Sequence, residues 1–332
     1  MPMPRLPTAV FLGALLAGHP AAAETIRVCA VESADKGCHF RGEGAIQAAV
    51  DYAADGDVIR LDPGRYVPAS VRDVAFQDII ARGFVVVSNK RLVIEGHVGT
   101  VLDGADGVPS IAFVLRDAEV TFRNLEIRDF RWEEEEDDIY DGHGIFAIDS
   151  RVRVSDVLMR GIVKMGLTGR GTSLVEATRL RLFDGHLGIW LEEGSQAHVR
   201  DSVIANGDSA GIATYDDSTL HIINSVVANN TDDGIFAADN SAIVAVRSII
   251  TNNTPYGANA RGNGRVTVRQ SVLHATGGKA FNTGLAATQL VVGEDVVQEA
   301  PPLNADWLPE ANAPQFVRDA AGRVIGLTGT GR

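Results

Sequence analysis

Four side chains that can bind an anion or move a proton recur in the middle of the sequence. They are Lys164, Arg170, His186 and Tyr215. A cation can neutralise a carboxylate beside the reacting bond, an amine or imidazole can take a proton, and a phenol can donate one. Together they suit removal of a proton from a carbon next to a carboxylate. We expect Arg170 to act as the cation, Lys164 or His186 as the base and Tyr215 as the acid.

Aromatic and charged side chains are interspersed around these four residues. Rings stack on the apolar faces of sugars, while charged groups bind sugar hydroxyls and carboxylates, so the pattern favours a site for a polysaccharide. Hydrolysis would instead need two facing carboxylates, such as Glu192 with Asp208 or Asp232. A solvated face of mixed charge is the alternative. The predicted substrate-binding residues are Phe146, Trp190, Glu192, Asp208, Asp232, Phe236 and Arg261.

A strongly acidic segment, RWEEEEDDIYDGHG, runs from Arg131 to Gly144. Its carboxylates could bind Ca²⁺ or repel an anionic ligand, although runs of charge are commonly solvated loops. His143 follows Asp141 by two residues, and we count it among the catalytic candidates as a base oriented by that acid. A histidine packed at the edge of a turn is the alternative. We predict no other cofactor and leave metal use open.

A repeat of 22 or 23 residues places these side chains at fixed positions. Self-similarity at such a period is typical of solenoids, in which each repeat packs on its neighbours. The residues two and four places after each repeat glycine are predicted to point outward, and so are those two places before it. The glycines that mark the repeat are Gly144, Gly166, Gly188, Gly211, Gly234 and Gly257.

Each repeat has the pattern of three short strands and three corners. In one copy the strands are 234–237, 243–245 and 248–250, with a bend near Arg247. Strands this short need stacking to bury an apolar column. Two columns are predicted to be structural: a left-handed corner, and an internal stack of hydroxyls. The corner column is Asp129, Gly161, Asp184, Asn206, Asn229 and Asn252, and the hydroxyl column is Ser202, Ser225, Ser248 and Ser271.

Before the repeats, residues 42–57 carry apolar residues at helical spacing and predict one amphipathic helix that covers the start of the solenoid. The segment AIQAAVDYAADGDVIRLDPGRYV, followed by N-S-x-V-x-x-N-x-x-x-x-G-I units, resembles the right-handed parallel β-helix proteins with the pectin-lyase-like fold. The resemblance implies an all-β solenoid and a ligand groove along the strand that begins at Gly-Ile. Such proteins include polysaccharide lyases, hydrolases, epimerases and adhesins, so the fold alone does not select an activity. Residues 141–144 loosely resemble the D-P-H-D motif of mannuronan epimerases.

The N-terminal segment of the chain predicts export. Residues 1–23 have the charge, apolar run and small-residue site of a signal peptide. In an exported protein the two cysteines, Cys29 and Cys38, are expected to form a disulfide rather than bind a metal. We therefore predict a secreted or periplasmic protein with four parts: a signal peptide at 1–23, an N-terminal segment at 24–41, the β-helix at 42–285 and a C-terminal cap and tail at 286–332.

Net charge limits the partners. The chain of 332 residues has a formal charge of −13, which argues against nucleic acid because phosphate binding needs a basic surface. No later apolar run is long enough to span a bilayer, so we expect no membrane span. We expect a monomer that binds a polysaccharide, as a lyase or epimerase of a uronic-acid polymer. The rival interpretations are a non-catalytic glycan-binding protein and a glycoside hydrolase.

Overall fold

The structure is a computed structural model that describes residues 23–133, 139–275, 277–301 and 303–305. The predicted signal peptide therefore lies outside the described residues except for Ala23. The described chain contains one helix and thirty strands in the order given below. No helix among these residues is long and apolar enough to cross a membrane.

The elements follow in chain order. The first part contains β1 (Thr25–Cys29), β2 (Phe40–Arg41), α1 (Ala45–Tyr52), β3 (Val58–Leu61), β4 (Gly64–Tyr66), β5 (Arg72–Phe76), β6 (Ile79–Ser88), β7 (Arg91–Glu95), β8 (Thr100–Asp103), β9 (Ile111–Arg116) and β10 (Glu119–Arg128). The middle contains β11 (Ile139–Tyr140), β12 (Ile145–Ile148), β13 (Arg151–Arg160), β14 (Met165–Arg170), β15 (Leu174–Thr178), β16 (Arg181–Phe183), β17 (Leu187–Leu191), β18 (Gln196–Arg200), β19 (Val203–Ala205) and β20 (Ile212–Thr214). The last part contains β21 (Thr219–Ile223), β22 (Val226–Ala228), β23 (Ile235–Ala237), β24 (Ala242–Val246), β25 (Ile249–Thr251), β26 (Tyr256–Ala260), β27 (Arg265–Arg269), β28 (Val272–His274), β29 (Lys279–Phe281) and β30 (Leu290–Val292).

Successive repeats pair in parallel and in register, which makes the chain a parallel β-helix. One sheet stacks β6, β9, β12, β14, β17, β20, β23, β26 and β29, and we call it the Gly-Ile sheet. The second and third strands of each repeat stack in the same way on the other walls. The all-β solenoid predicted from the repeat is confirmed. β5 is different because it pairs antiparallel with β6.

The corner columns behave as the sequence predicted. Residues of the left-handed corner all have φ between 55° and 63°. Asn229 Nδ2 donates to Asn206 Oδ1 at 2.9 Å, and Asn206 Nδ2 donates to Asp184 Oδ1 at 3.1 Å, so the amides form a ladder. The fully buried serine hydroxyls accept from the backbone N–H of the preceding serine in the stack, as Ser248 does from Ser225 at 3.2 Å.

The N-terminal segment packs on the first coils. Cys29 and Cys38 are joined in a disulfide, as predicted. The helix is shorter than predicted and spans Ala45–Tyr52, because Gly44 has φ 71° and Ala53 returns to extended backbone. Ala45, Ile46, Ala49 and Val50 are buried in the same core as the strands, so the apolar stripe of the helix was identified correctly.

The glycine column lets the coils approach closely. A Cβ added at Gly188 would lie 2.5 Å from both the Gly211 carbonyl oxygen and the Ile204 Cγ2 atom. We expect Gly188→Ala to lower the free energy of unfolding by about 1–3 kcal/mol, because overpacking forces the backbone apart. Chemical denaturation measures this. Gly194→Ala is the matched control, since its added Cβ would meet only the Gly171 carbonyl oxygen at 3.6 Å. Equal losses for both variants would contradict the steric explanation.

Candidate functional site

The outer face of the Gly-Ile sheet carries two rows of side chains that run along the solenoid. One row joins Phe146, Thr168, Trp190, Ala213, Phe236 and Asn259 through the strand register. The second row, which follows two residues later in each strand, contains Ile148, Arg170, Glu192, Tyr215 and Arg261. Neighbours in a row lie ~4.8 Å apart, so any groove on this face is built from single residues of successive coils.

An open cleft of about 370 Å³ occupies this face and is lined from Met165 of β14 to Arg261, just after β26. It brings together six of the predicted site residues, together with Asp233, which the sequence interpretation had not selected. Its floor is formed by small apolar side chains, including Ala210 and Ala213. The six predicted residues that line it are His186, Trp190, Tyr215, Asp232, Phe236 and Arg261.

Three aromatic rings form a continuous cluster in the cleft. The Trp190 and Tyr215 rings stack with centroids 4.4 Å apart, and the Phe236 ring meets Tyr215 edge-on at 5.9 Å. All three side chains are partly exposed and pack on Ala213. Burial raises the pKa of Tyr215, with an opposing effect from Arg261. The phenol therefore keeps its proton at neutral pH and can serve as a donor.

His186 stands at the rim of the cleft with a carboxylate behind it. Its Nδ1 atom lies 2.5 Å from Asp208 Oδ1, and its side chain is 44% exposed. A carboxylate on Nδ1 holds the proton on that nitrogen and leaves the Nε2 lone pair free when the ring is neutral. His186 and Asp208, predicted for separate roles, are thus in contact with each other, an arrangement suited to a base and the acid that orients it.

Arg261 supplies the cation of the cleft. Its guanidinium carbon lies 5.7 Å from the centre of the Phe236 ring, and the side chain is exposed. It has no acidic partner among the described residues, so its charge is available to a ligand. Asp232, also exposed, lies on the same rim.

Asp233 is the functional candidate that the sequence interpretation missed. It is 5% exposed; its Oδ2 accepts from Asn259 Nδ2 at 2.7 Å, and its Oδ1 has no partner in the described structure. Burial raises its pKa to about 6, and the charge of Asp232 adds to the effect. The sequence did contain a sign of this residue, because no other repeat has an acid directly before its glycine. The residues at that position in the other repeats are His143, Met165, Leu187, Ala210 and Tyr256. An acid in that column is an anomaly.

Arg170 and Glu192 do not serve the cleft as predicted. Arg170 is 11% exposed, and its Nε and Nη2 atoms lie 2.6 Å and 3.0 Å from Glu192 and Glu193. The two acids use its charge, so it is not free to neutralise a substrate carboxylate. Burial raises the pKa of Glu192, while Arg170 opposes the shift. Neither residue lines the cleft.

Phe146 was predicted to bind substrate, and the structure contradicts this. The outward direction was correct, but the hairpin of β5 and β6 lies over this part of the face. Phe146 is fully buried in a cluster with Val74, Ile79 and Ala81 of that hairpin. The ring cannot reach a ligand without displacement of the hairpin.

His143 and Lys164 also lie away from the cleft. His143 is 2% exposed, and burial lowers its pKa to about 4. Its Nδ1 atom lies 2.6 Å from the backbone oxygen of Asp141 and not from the carboxylate, so the predicted base-and-acid pair is wrong. Lys164 places its Nζ 3.3 Å from the centre of the Trp132 ring. A covered histidine and a lysine engaged with a ring are poor candidates for a base in the open cleft.

Five of the six consecutive acids of this segment, residues 134–138, lie outside the described residues. Calcium binding there stays a prediction. A second, shallower groove of about 520 Å³ crosses the opposite sheet, between Arg123 and Arg200. Its central Arg153 is already paired with Glu119 and Glu176 at 2.7 Å and 2.9 Å. Because no aromatic ring other than the His198 imidazole lines it, we place the candidate site in the cleft of the Gly-Ile sheet.

Two solved structures are similar to this chain in fold. A pectate lyase superposes with a TM-score of 0.58 at 13% identity, over 94% of this chain and 91% of that chain. The A-module of a mannuronan C-5 epimerase from Azotobacter vinelandii superposes with a TM-score of 0.52 at 16% identity, over 75% of this chain and 69% of that one. At such identities the likeness shows the fold alone. No curated protein matches the sequence.

The repeat itself identifies a family. The family described as "Right handed beta helix region" matches residues 106–292, which is more than half of the chain. This confirms the right-handed β-helix that the family resemblance implied. On this evidence the chain belongs to the right-handed β-helix family.

Proposed function

We propose that the protein is an exported enzyme that removes the C5 proton of a uronate residue in a polysaccharide, as a lyase or an epimerase. The observation that carries the proposal is the His186–Asp208 pair at the rim of a cleft that also holds Arg261 and Tyr215. The two fold neighbours named above, a pectate lyase and a mannuronan epimerase, support this substrate class. The disulfide and the predicted signal peptide support export.

Each cleft residue then has one role. Arg261 pairs with the uronate carboxylate and lowers the cost of negative charge at C5 in the transition state. His186 Nε2 takes the C5 proton, and Asp208 holds the ring in place. In a lyase the electrons of the broken C–H bond form the C4–C5 double bond, the C4–O4 bond breaks, and Tyr215 gives its proton to O4. In an epimerase the C4–O4 bond stays intact, and Tyr215 gives its proton to C5 on the face opposite His186.

Hydrolysis is the second candidate, favoured by one observation. Burial raises the pKa of Asp233 to about 6, and a carboxylic acid with a raised pKa is the ordinary proton donor of a glycosidase. Asp232 on the same rim would be the second carboxylate. In this reaction water replaces the glycosidic oxygen, and no double bond forms.

A panel of polymers separates these functions. The protein is incubated with polygalacturonate, polymannuronate and neutral glycans, and the products are followed by ultraviolet absorbance, reducing ends and proton NMR. We expect an absorbing unsaturated product or an altered C5 configuration from one uronan. New reducing ends without ultraviolet absorbance would support hydrolysis instead. Binding without any product would support a glycan-binding protein and overturn the enzymatic proposal.

A further inference from the structure

We propose that the cleft receives the end of a polysaccharide chain and not an internal segment, because the β5–β6 hairpin closes it on one side. This inference rests on the proposed function and deepens it. The hairpin is an irregular addition to the solenoid, since β5 with β6 is the one antiparallel pair among the described strands. It lies along the outer face of the Gly-Ile sheet on the coils that precede the cleft.

The hairpin fills the groove where a longer ligand would continue. Outward residues that would line that groove are inaccessible: Phe146 and Ile148 have no exposed surface, and Thr168 is 2% exposed. The hairpin covers Phe146 and Ile148 with Val74, Ile79 and Ala81, where a ligand would otherwise lie. The first outward residue of this row with an open face is Trp190, one strand beyond Thr168.

Side-chain contacts fix the hairpin at three of the coils beneath it. Arg116 Nη1 donates to the Ala75 carbonyl oxygen at 2.6 Å. At the next coil but one, the Arg170 guanidinium lies 5.4 Å from the centre of the Phe76 ring. At the tip, Gln77 Nε2 donates to Glu193 Oε1 at 2.7 Å. The Arg170–Glu192–Glu193 cluster, which is not available for substrate, therefore has a second purpose, which is to hold the tip of this barrier.

The open part of the cleft is short. From Trp190 on β17 to Asn259 on β26 there are three strand steps, or ~14 Å. Beyond it, Arg261 and Lys279 are exposed on the last coils, so the cleft opens in that direction within the described residues. A polymer can enter from the C-terminal side of the solenoid and must stop at the hairpin. Only the terminal sugars then reach His186 and Arg261.

Chain length of the substrate tests the proposal without any mutation. Size-fractionated polygalacturonate and polymannuronate are compared at equal mass, and both initial rate and binding by calorimetry are measured. A chain-end site should give rates and binding capacity that follow the number of chain ends, with one short product size from the first time point. A ladder of product sizes at rates independent of length would overturn the chain-end proposal while leaving the enzymatic function intact. No binding or product from either polymer would count against the proposed function itself.

A variant of the hairpin tip tests the cause. Phe76→Ala with Gln77→Ala removes the contacts with Arg170 and Glu193 but leaves the antiparallel pairing of β5 and β6. We expect this variant to make longer products and to depend less on chain ends. Gln196→Ala is the control, since this exposed glutamine lies on the other sheet. Two results together would show that the hairpin does not limit the cleft. The folded tip variant would give an unchanged product pattern, and the wild type would show rates independent of chain length.

Discussion

His186→Ala is expected to lower kcat/KM on the processed uronan by about 10²–10⁴-fold, the usual contribution of a positioned base. The reason is geometric. His186 lines the cleft, its Nδ1 is held by Asp208 at 2.5 Å, and its other nitrogen is free to take a proton. Steady-state kinetics by ultraviolet absorbance, or proton exchange at C5 followed by NMR, measures the loss.

Two further variants separate a base from a structural histidine. Asp208→Asn keeps the shape but replaces the acceptor with an amide, which should lower kcat while KM changes little, because the ring loses its preferred tautomer. His198→Ala is the control, as this exposed histidine contacts His221 on the other sheet at 5.3 Å. If His186→Ala retained full activity, the base would have to be another residue, and Asp233 would be the next candidate.

Asp233→Asn is expected to make the folded protein more stable at pH 8 by up to about 3 kcal/mol. The pKa of the carboxyl rises from its ordinary 3.8 to about 6 on folding, and two pH units correspond to about 3 kcal/mol. The folded state therefore binds more protons than the unfolded state between these values. Stability is complete below pH ~4 and is lost as pH rises through about 6. The asparagine variant does not titrate and escapes this loss.

The measurement is the difference in unfolding free energy between variant and wild type from pH 4 to pH 8. The difference matters because other buried groups titrate in the same range. Burial also raises the pKa of Asp141 to about 6, whereas it lowers the pKa of His143 to about 4, so their contributions have opposite signs with pH. Asp78→Asn, at an exposed carboxyl in the hairpin turn, is the control. A pH-independent difference would mean that Asp233 is not buried as described.

The repeat predicted the scaffold well because its requirements are local. A left-handed corner needs Asn, Asp or Gly, close coils need Gly188, and a buried hydroxyl needs a partner one coil away, as Ser225 has in Ser248. Each requirement recurs every 22 or 23 residues, so one sequence contains several independent examples of it. Parity along a strand then predicted correctly that Trp190, Tyr215 and Phe236 face outward together.

The sequence could not show which outward residues stay open. Phe146 and Trp190 occupy equivalent positions in the same row, yet only Trp190 meets solvent. The difference arises from β5 and β6, whose place on the solenoid depends on contacts with residues far along the chain, such as Gln77 with Glu193. Arg170 was misassigned for a different reason, since its pairing with Glu192 and Glu193 depends on side-chain direction and not on spacing. Arg261 was predicted only to bind substrate. We propose for it the role first given to Arg170, which is to neutralise the substrate carboxylate.

The parallel register of the strands fixes the spacing between equivalent residues along the groove. Every coil contributes one outward residue to each row, and its strands pair with those of the coils above and below. The cleft can therefore change length only in whole coils of ~4.8 Å, by duplication or loss of about 23 residues. Between such events its chemistry can change residue by residue on the outside while the serine and asparagine ladders stay the same. In such a solenoid the residues that maintain the fold and the residues that form the binding surface can therefore evolve independently.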